Sequence, residues 1–221
     1  MVISNFKFPI YSFFIIFSLI IGIIFNYYYL KRKKLNKQEI LYFLSFILPF
    51  AIIGGLVISK IITGKIGLNS YGGALSLIIA SIVYNKIVPN KNIYLKSMLL
   101  SLPLIYSIAK LGCFFAGCCY GLPYNGFLSV TYINDLNIPL IPIQLIETIC
   151  FMIIFFILLL IDKKAKNMIE LTIILCATLK FLLDFLRYNH TYEIISKNQI
   201  ISIILIVISI ISLIKKTINN K

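Results

Sequence analysis

Long apolar runs alternate with short polar stretches along this 221-residue chain, and nothing else in it limits the fold as strongly. The runs fall at 11–30, 40–62, 71–84, 97–116, 142–161, 168–186 and 199–214. A helix needs about 20 apolar residues to cross roughly 30 Å of hydrocarbon, and most of these runs meet or approach that length. Lipid offers no partner for backbone N–H and C=O groups, so a run exposed to it must satisfy them within itself, as a helix. The sequence therefore predicts an all-α integral membrane protein with seven transmembrane helices in a single domain over 1–221. A composition 60% hydrophobic and 13% charged belongs to the same class. The first run reads as a span and not as a secretory leader. Its N-terminal flank holds only Lys7, whereas its basic cluster (Lys31, Arg32, Lys33, Lys34 and Lys37) follows it.

The formal net charge is +14, a value that on a soluble chain would suggest nucleic acid. Here the cations sit in clusters between apolar runs, which excludes a nucleic-acid surface and points to anionic lipid headgroups. Fourteen of the 21 basic residues lie in the 31–37, 85–96 and 162–167 connections and the 215–221 tail. With seven spans, all four fall on one side. The positive-inside rule then predicts an outside N-terminus and a cytoplasmic C-terminus. The outer loop 122–141 agrees, since it has no Lys or Arg. Five cysteines, an odd number, exclude a complete disulfide framework.

On this topology the polar residues inside the runs collect at one end. Lys110-Leu-Gly-Cys-Phe-Phe-Ala-Gly-Cys-Cys-Tyr-Gly121 closes the fourth run with a lysine, three glycines and three cysteines. Gln144 and Glu147 are three apart at the start of the fifth run. Lys180, Asp184 and Arg187 follow at spacings of four and three at the end of the sixth, each set on one helical face. Tyr11, Tyr71 and Gln199 open their runs from the same side. Ionisable groups in lipid mark functional sites by default. Lys110, Lys180 and Arg187 against Glu147 and Asp184 leave a net positive pocket, for which a phospholipid phosphate is the natural anion. The plainer alternatives are a structural Lys180–Asp184 pair and a glycine-packed helix end with inert cysteines.

These residues resemble the prolipoprotein diacylglyceryl transferases, integral membrane enzymes of bacteria. The resemblance runs through nearly the whole chain. It includes Tyr11, Gly54-Gly55 and Tyr71-Gly-Gly73, where the family has His-Gly-Gly. Lys110-Leu-Gly-Cys-Phe-Phe-Ala-Gly117, followed by Cys118, is similar to Gly-Arg-x-Gly-Asn-Phe-x-Asn-Gly-Glu from its arginine onward. Pro142-Ile-Gln-Leu-Ile-Glu147 resembles His-Pro-x-Gln-Leu-Tyr-Glu, and Lys180-Phe-Leu-Leu-Asp-Phe-Leu-Arg187 resembles Arg-x-x-x-Glu-x-x-Arg. Gln199-Ile-Ile-Ser202 is similar to the family's final Gly-Gln-x-x-Ser. Tyr71 thus replaces a histidine, Lys110 and Lys180 replace arginines, Cys113 an asparagine and Cys118 a glutamate.

The resemblance implies transfer of the diacylglyceryl group of phosphatidylglycerol to the lipobox cysteine thiol of a prolipoprotein. A thioether forms and glycerol phosphate leaves, in the bacterial plasma membrane with the site facing the outer leaflet. It implies catalytic roles for Tyr71, Lys110, Cys113 and Cys118. It implies lipid and phosphate binding by Tyr11, Lys110, Lys180, Arg187, Gln144, Glu147 and Asp184. No metal and no cofactor is expected. The acceptor thiol belongs to the peptide, so the chain's own cysteines carry no lipid and act at the site by packing or hydrogen bonding. His190, alone in the last outer loop, reads as a solvated residue or a base. Two rivals stay open: a thiol-based redox or metal protein built on Cys113, Cys118 and Cys119, and a lipid-binding protein without the chemistry. The Cys-x4-Cys-Cys spacing lacks the paired pattern of a structural zinc site.

Overall fold

The apolar runs fold as helices with ends close to those read from the sequence. The computed structural model describes residues 2–3, 9–64, 70–88, 92–132, 136–162 and 167–219, without the side chains of 2, 3, 9, 62, 63, 70, 71 and 219. Its helices are α1 (Pro9–Arg32), α2 (Lys37–Thr63), α3 (Ser70–Ile87), α4 (Ile93–Ala116), α5 (Ile143–Ile161), α6 (Met168–Asp184) and α7 (Lys197–Asn219). The chain is an all-α multi-pass membrane protein. α1, α2, α4, α5 and α7 are each long and apolar enough to cross a bilayer. In α3 the described apolar stretch is the shorter Gly72–Ile87. α6 has 17 residues and carries Glu170, Lys180 and Asp184. Prolines inside α2 and α4, Pro49 and Pro103, are tolerated in lipid when neighbouring groups satisfy the freed carbonyls.

The chain divides into two compact units, one of Ile20–Leu102 and one of Met1–Leu19 with Pro103–Lys221. In the first, α2 and α3 approach through glycines. A Cβ on Gly72 would stand 2.5 Å from the Ile58 Cβ, so a larger residue would force the helices apart. Phe43, Tyr84 and Tyr94 form a buried aromatic cluster with ring centroids 4.8–5.2 Å apart. Ser97 donates to Asn26 Oδ1 at 2.6 Å, and Asn26 Nδ2 donates to the Gly22 carbonyl at 2.8 Å. Without water, these bonds are what makes the burial of Asn26 tolerable.

The second unit holds the candidate site residues, except Tyr71. The 122–141 segment, expected as a loop, carries a small sheet. β2 (Val130–Tyr132) pairs antiparallel with β3 (Pro139–Leu140) and parallel with β1 (Val2–Ile3). Val130, Tyr132 and Leu140 bury their side chains with Phe114 of α4, and Tyr120 and Tyr188 cover them. The backbone stitches this cap to the helix ends. Leu122 N–H donates to the Leu186 carbonyl at 2.9 Å, Tyr188 N–H to Tyr120 at 3.0 Å and Ile141 N–H to Leu122 at 2.9 Å. Gly121 is required in that seam, because a Cβ there would collide with the Ile141 backbone and lie 2.9 Å from its Cβ.

Candidate active site

One carboxylate gathers the cations. Glu147 lies in the second turn of α5 and is fully buried. Lys110 Nζ lies 2.9 Å from its Oε2, and Lys180 Nζ lies 2.5 Å from its Oε1. Arg187 Nη2 donates to both oxygens, at 2.8 and 2.9 Å. Three positive groups, from α4, the end of α6 and the residues just after it, therefore converge on one acid. A charge at the centre of a bilayer costs about 2.5–3.5 kcal/mol even on insertion scales, so mutual pairing is what allows them to be buried. Burial opposes the charge of Arg187, but the Glu147 carboxylate outweighs it and holds the guanidinium well above its usual pKa.

Tyr106 is the member that sequence reasoning missed. It lies one turn before Lys110 on α4, and its hydroxyl donates to Glu147 Oε1 at 3.0 Å and accepts from Lys180 Nζ. Its ring takes Lys110 and Lys180 Nζ at 5.2 and 5.0 Å from the centroid, as cation–π contacts. Phe151 of α5 fixes the ring from 4.4 Å. The signal was its spacing, since a tyrosine four residues before a buried lysine shares its helical face.

Asp184 forms a second, smaller node. Arg187 Nε lies 3.2 Å from its Oδ1 and His190 Nε2 3.7 Å from its Oδ2, while the Ser196 hydroxyl donates to Oδ2. The plainer alternative, a structural Lys180–Asp184 pair, is not what these contacts show. Lys180 turns to Glu147, and Asp184 holds Arg187. Ser196 and Gln199 cap α7 reciprocally: Ser196 N–H donates to Gln199 Oε1 at 2.9 Å and Gln199 N–H to Ser196 Oγ at 3.1 Å. The capping box accounts for Gln199 structurally, and it fastens α7 to Asp184.

The cysteine stretch is shaped by how α4 ends. Gly117 has φ +61°, its N–H donates to Phe114 O at 3.3 Å, and Cys118 N–H donates to Cys113 O at 3.1 Å. This is a Schellman stop, and its six-to-one bond folds Cys118 back over Cys113. Cys119 is also left-handed, at φ +58°, which is uncommon for a residue with a Cβ. The three thiol sulfurs of Cys113, Cys118 and Cys119 end within 4.8 Å of one another. Gln144, fully buried on α5, donates from Nε2 to the Cys118 carbonyl at 2.6 Å. Tyr11 of α1 stands in electrostatic reach of Lys110 and all three cysteines. Gly112 makes that approach possible, since a Cβ there would lie 2.7 Å from the Phe14 Cβ.

Lys110, Glu147, Lys180, Asp184 and Arg187 thus form one connected ionic network, with Tyr11, Gln144 and the cysteines beside it. Tyr71 opens α3 in the other unit, and its side chain lies outside the described residues. The network holds three cations against two acids, and it suits an anion with several oxygens.

A profile described as prolipoprotein diacylglyceryl transferase matches residues 1–215. Over 119 residues the chain is 31% identical to the phosphatidylglycerol–prolipoprotein diacylglyceryl transferase of Clostridium tetani (strain Massachusetts / E88), covering 50% of this chain and 48% of that one. The matched segment spans about half the length of that relative.

Proposed function

Because the chain belongs to the prolipoprotein diacylglyceryl transferase family, we propose that it moves the diacylglyceryl group of phosphatidylglycerol to the lipobox cysteine thiol of a prolipoprotein. The observation that carries this reading is the convergence of Lys110, Lys180 and Arg187 on Glu147. The acceptor sulfur attacks the glyceryl carbon that bears the phosphate ester, the C–O bond breaks, and glycerol phosphate departs with an added negative charge. Cations already fixed where that charge grows stabilise the transition state without reorganising. Glu147 holds them together by offsetting their mutual repulsion, and Tyr106 orients the two lysines. Arg187 presents a fork of donors that suits phosphate, and the lysines contribute point charges. Tyr11 and Gln144 border the reacting groups, and Asp184 positions Arg187.

In this proposal the protein is a bacterial plasma-membrane enzyme. Seven helices cross the bilayer as one domain, with the N-terminus outside and the site at the outer leaflet, where its lipid and the exported acceptor meet. The test is transfer from phosphatidylglycerol in mixed micelles to a lipobox peptide. Lys110→Ala is expected to lower the rate about a hundredfold, the typical cost of deleting one preorganised donor. Lys110→Arg is expected to keep or raise the rate, since a guanidinium binds phosphate bidentately. Wild-type transfer by Lys110→Ala would remove the phosphate-binding role of Lys110 from the reading.

A further inference from the structure

We propose that Cys113, Cys118 and Cys119 form a tris-thiolate zinc site whose open fourth position takes the acceptor thiol. Three observations carry it. The sulfurs lie within 4.8 Å of one another, and among the described residues no His, Asp or Glu joins the group. Around tetrahedral zinc, with Zn–S bonds of about 2.3 Å, sulfurs sit about 3.8 Å apart, so modest side-chain rotation closes the trio on a metal. The approach comes from backbone that is already built: the Schellman stop at Gly117, the left-handed Cys119 and the Gln144 hydrogen bond to Cys118 O. The third observation is access. Cys113 is buried, Cys118 is half-buried and Cys119 is an exposed residue, so the trio lies at the edge of the packed interior.

The choice of ion follows from the donors and the task. Thiolates select soft or borderline ions, and zinc brings no redox chemistry to a step that transfers no electrons. Zinc with three thiolates carries a single negative charge. Cys119 lies within electrostatic reach of Lys110 and Arg187, so the excess of cations in the network faces it. Three protein ligands with a fourth position free is the pattern of a reactive site, whereas a structural site is closed.

The inference rests on the transferase reading and supplies what it lacks, a way to ionise the acceptor. Glu147 and Asp184 are engaged with cations and are poor bases in that state. Coordination deprotonates a thiol outright. The peptide thiol binds the open position and releases its proton to solvent. Its sulfur, still on zinc, attacks the glyceryl carbon. The S–C bond forms as the C–O bond breaks, the electron pair leaves on the phosphate oxygen, and the product thioether, a weaker ligand, dissociates. The cysteines then do more than pack, and the sequence spacing that argued against a metal is bypassed by the helix stop.

The test uses the full chain, purified in detergent under a non-thiol reductant. About one zinc per chain is expected, with loss in Cys113→Ser and Cys118→Ser and retention in Cys150→Ser, whose thiol lies away in α5. In cobalt-substituted protein, a lipobox peptide is expected to shift the thiolate-to-cobalt bands, and its Cys→Ser version to leave them unchanged. Stripping the wild-type protein with a chelator is expected to cut transfer about a hundredfold, within the range for losing proton-transfer assistance, and zinc to restore it. This arm needs no variant to fold. Unchanged transfer by metal-free protein would overturn the zinc site and leave the transferase standing. Absence of bound zinc, or cobalt bands blind to the peptide thiol, would also overturn it. A peptide-dependent cobalt shift in a protein that transfers nothing from phosphatidylglycerol would uphold the site and sink the transferase reading.

Discussion

Glu147 shows how much one residue can organise when water is absent. It is fully buried, and Lys110, Lys180, Arg187 and Tyr106 all depend on its two oxygens. Removing one partner of a buried ionic group costs about 3–5 kcal/mol, because the charges left behind cannot find water. Glu147→Gln keeps the size and an acceptor for Tyr106 but removes the negative charge from three cations. It is expected to lower the thermal unfolding temperature of the detergent-solubilised protein by several degrees and to abolish transfer. A melting curve that overlays the wild type would mean the carboxylate is not the organising group. Lys110, Glu147 and Lys180 could be read from the sequence because each interrupts an apolar run at a stated energetic cost, and Arg187 because it follows Lys180 and Asp184 on one helical face. Tyr106 had only its spacing from Lys110 to mark it, because a tyrosine in such a run is equally at home in a core or at an interface. Spacing alone also left a structural Lys180–Asp184 pair open as the plainer alternative, whereas Glu147, on another helix, is the partner that Lys180 takes.

At the scale of elements, helices were legible and strands were not. A bilayer requires a fixed apolar length, so the run at 142–161 announces α5 (Ile143–Ile161) almost to the residue. β1 and β2 have two and three residues and pair across more than half of the chain, so no local periodicity marks them. The thiol trio lies between these cases. Gly117 followed by two cysteines carries the mark of a Schellman stop, whose characteristic contact joins the residue after the glycine to one five earlier, here Cys118 to Cys113. The α1–α4 contact is also set by one glycine. A Cβ at Gly112 would meet the Cβ of Phe14, which no rotation of that ring removes, at 2.7 Å. Overpacking of this kind costs about 1–3 kcal/mol. Gly112→Leu is expected to lower stability by that amount and to reduce transfer, because α4 must move away from α1 and carries Lys110 and Cys113 with it. Wild-type stability and rate together would show that the contact does not set the site.

For the whole molecule, the ion pairs give helix direction independently of the charge clusters. Glu147 near the start of α5 meets Lys180 near the end of α6 and Lys110 near the end of α4, so these three helices alternate in direction. Glu170 in the first turn of α6 pairs with Lys216 in the last turn of α7 at 2.5 Å, so α7 again reverses. Gly112 against the Tyr11 carbonyl puts the start of α1 beside the end of α4. This alternation is what the basic clusters require if each helix crosses the bilayer. α3 and α6 decide the matter. At 1.5 Å per residue, 18 and 17 residues reach about 27 and 26 Å, a few ångströms short of the average hydrocarbon thickness. Local thinning and snorkelling absorb such a mismatch at fractions of a kcal/mol per ångström. Reporter fusions at Lys34, Lys91, Lys164 and Lys216 are therefore expected to read cytoplasmic, and fusions at Asn69, Asn134 and His190 to read outside. The informative pairs flank the short helices. If Asn69 and Lys91 report the same side, α3 does not cross, and Lys164 with His190 puts the same question to α6. Either result would place the basic clusters on both faces of the membrane, and the outer-leaflet assignment of the ionic network would fall with it.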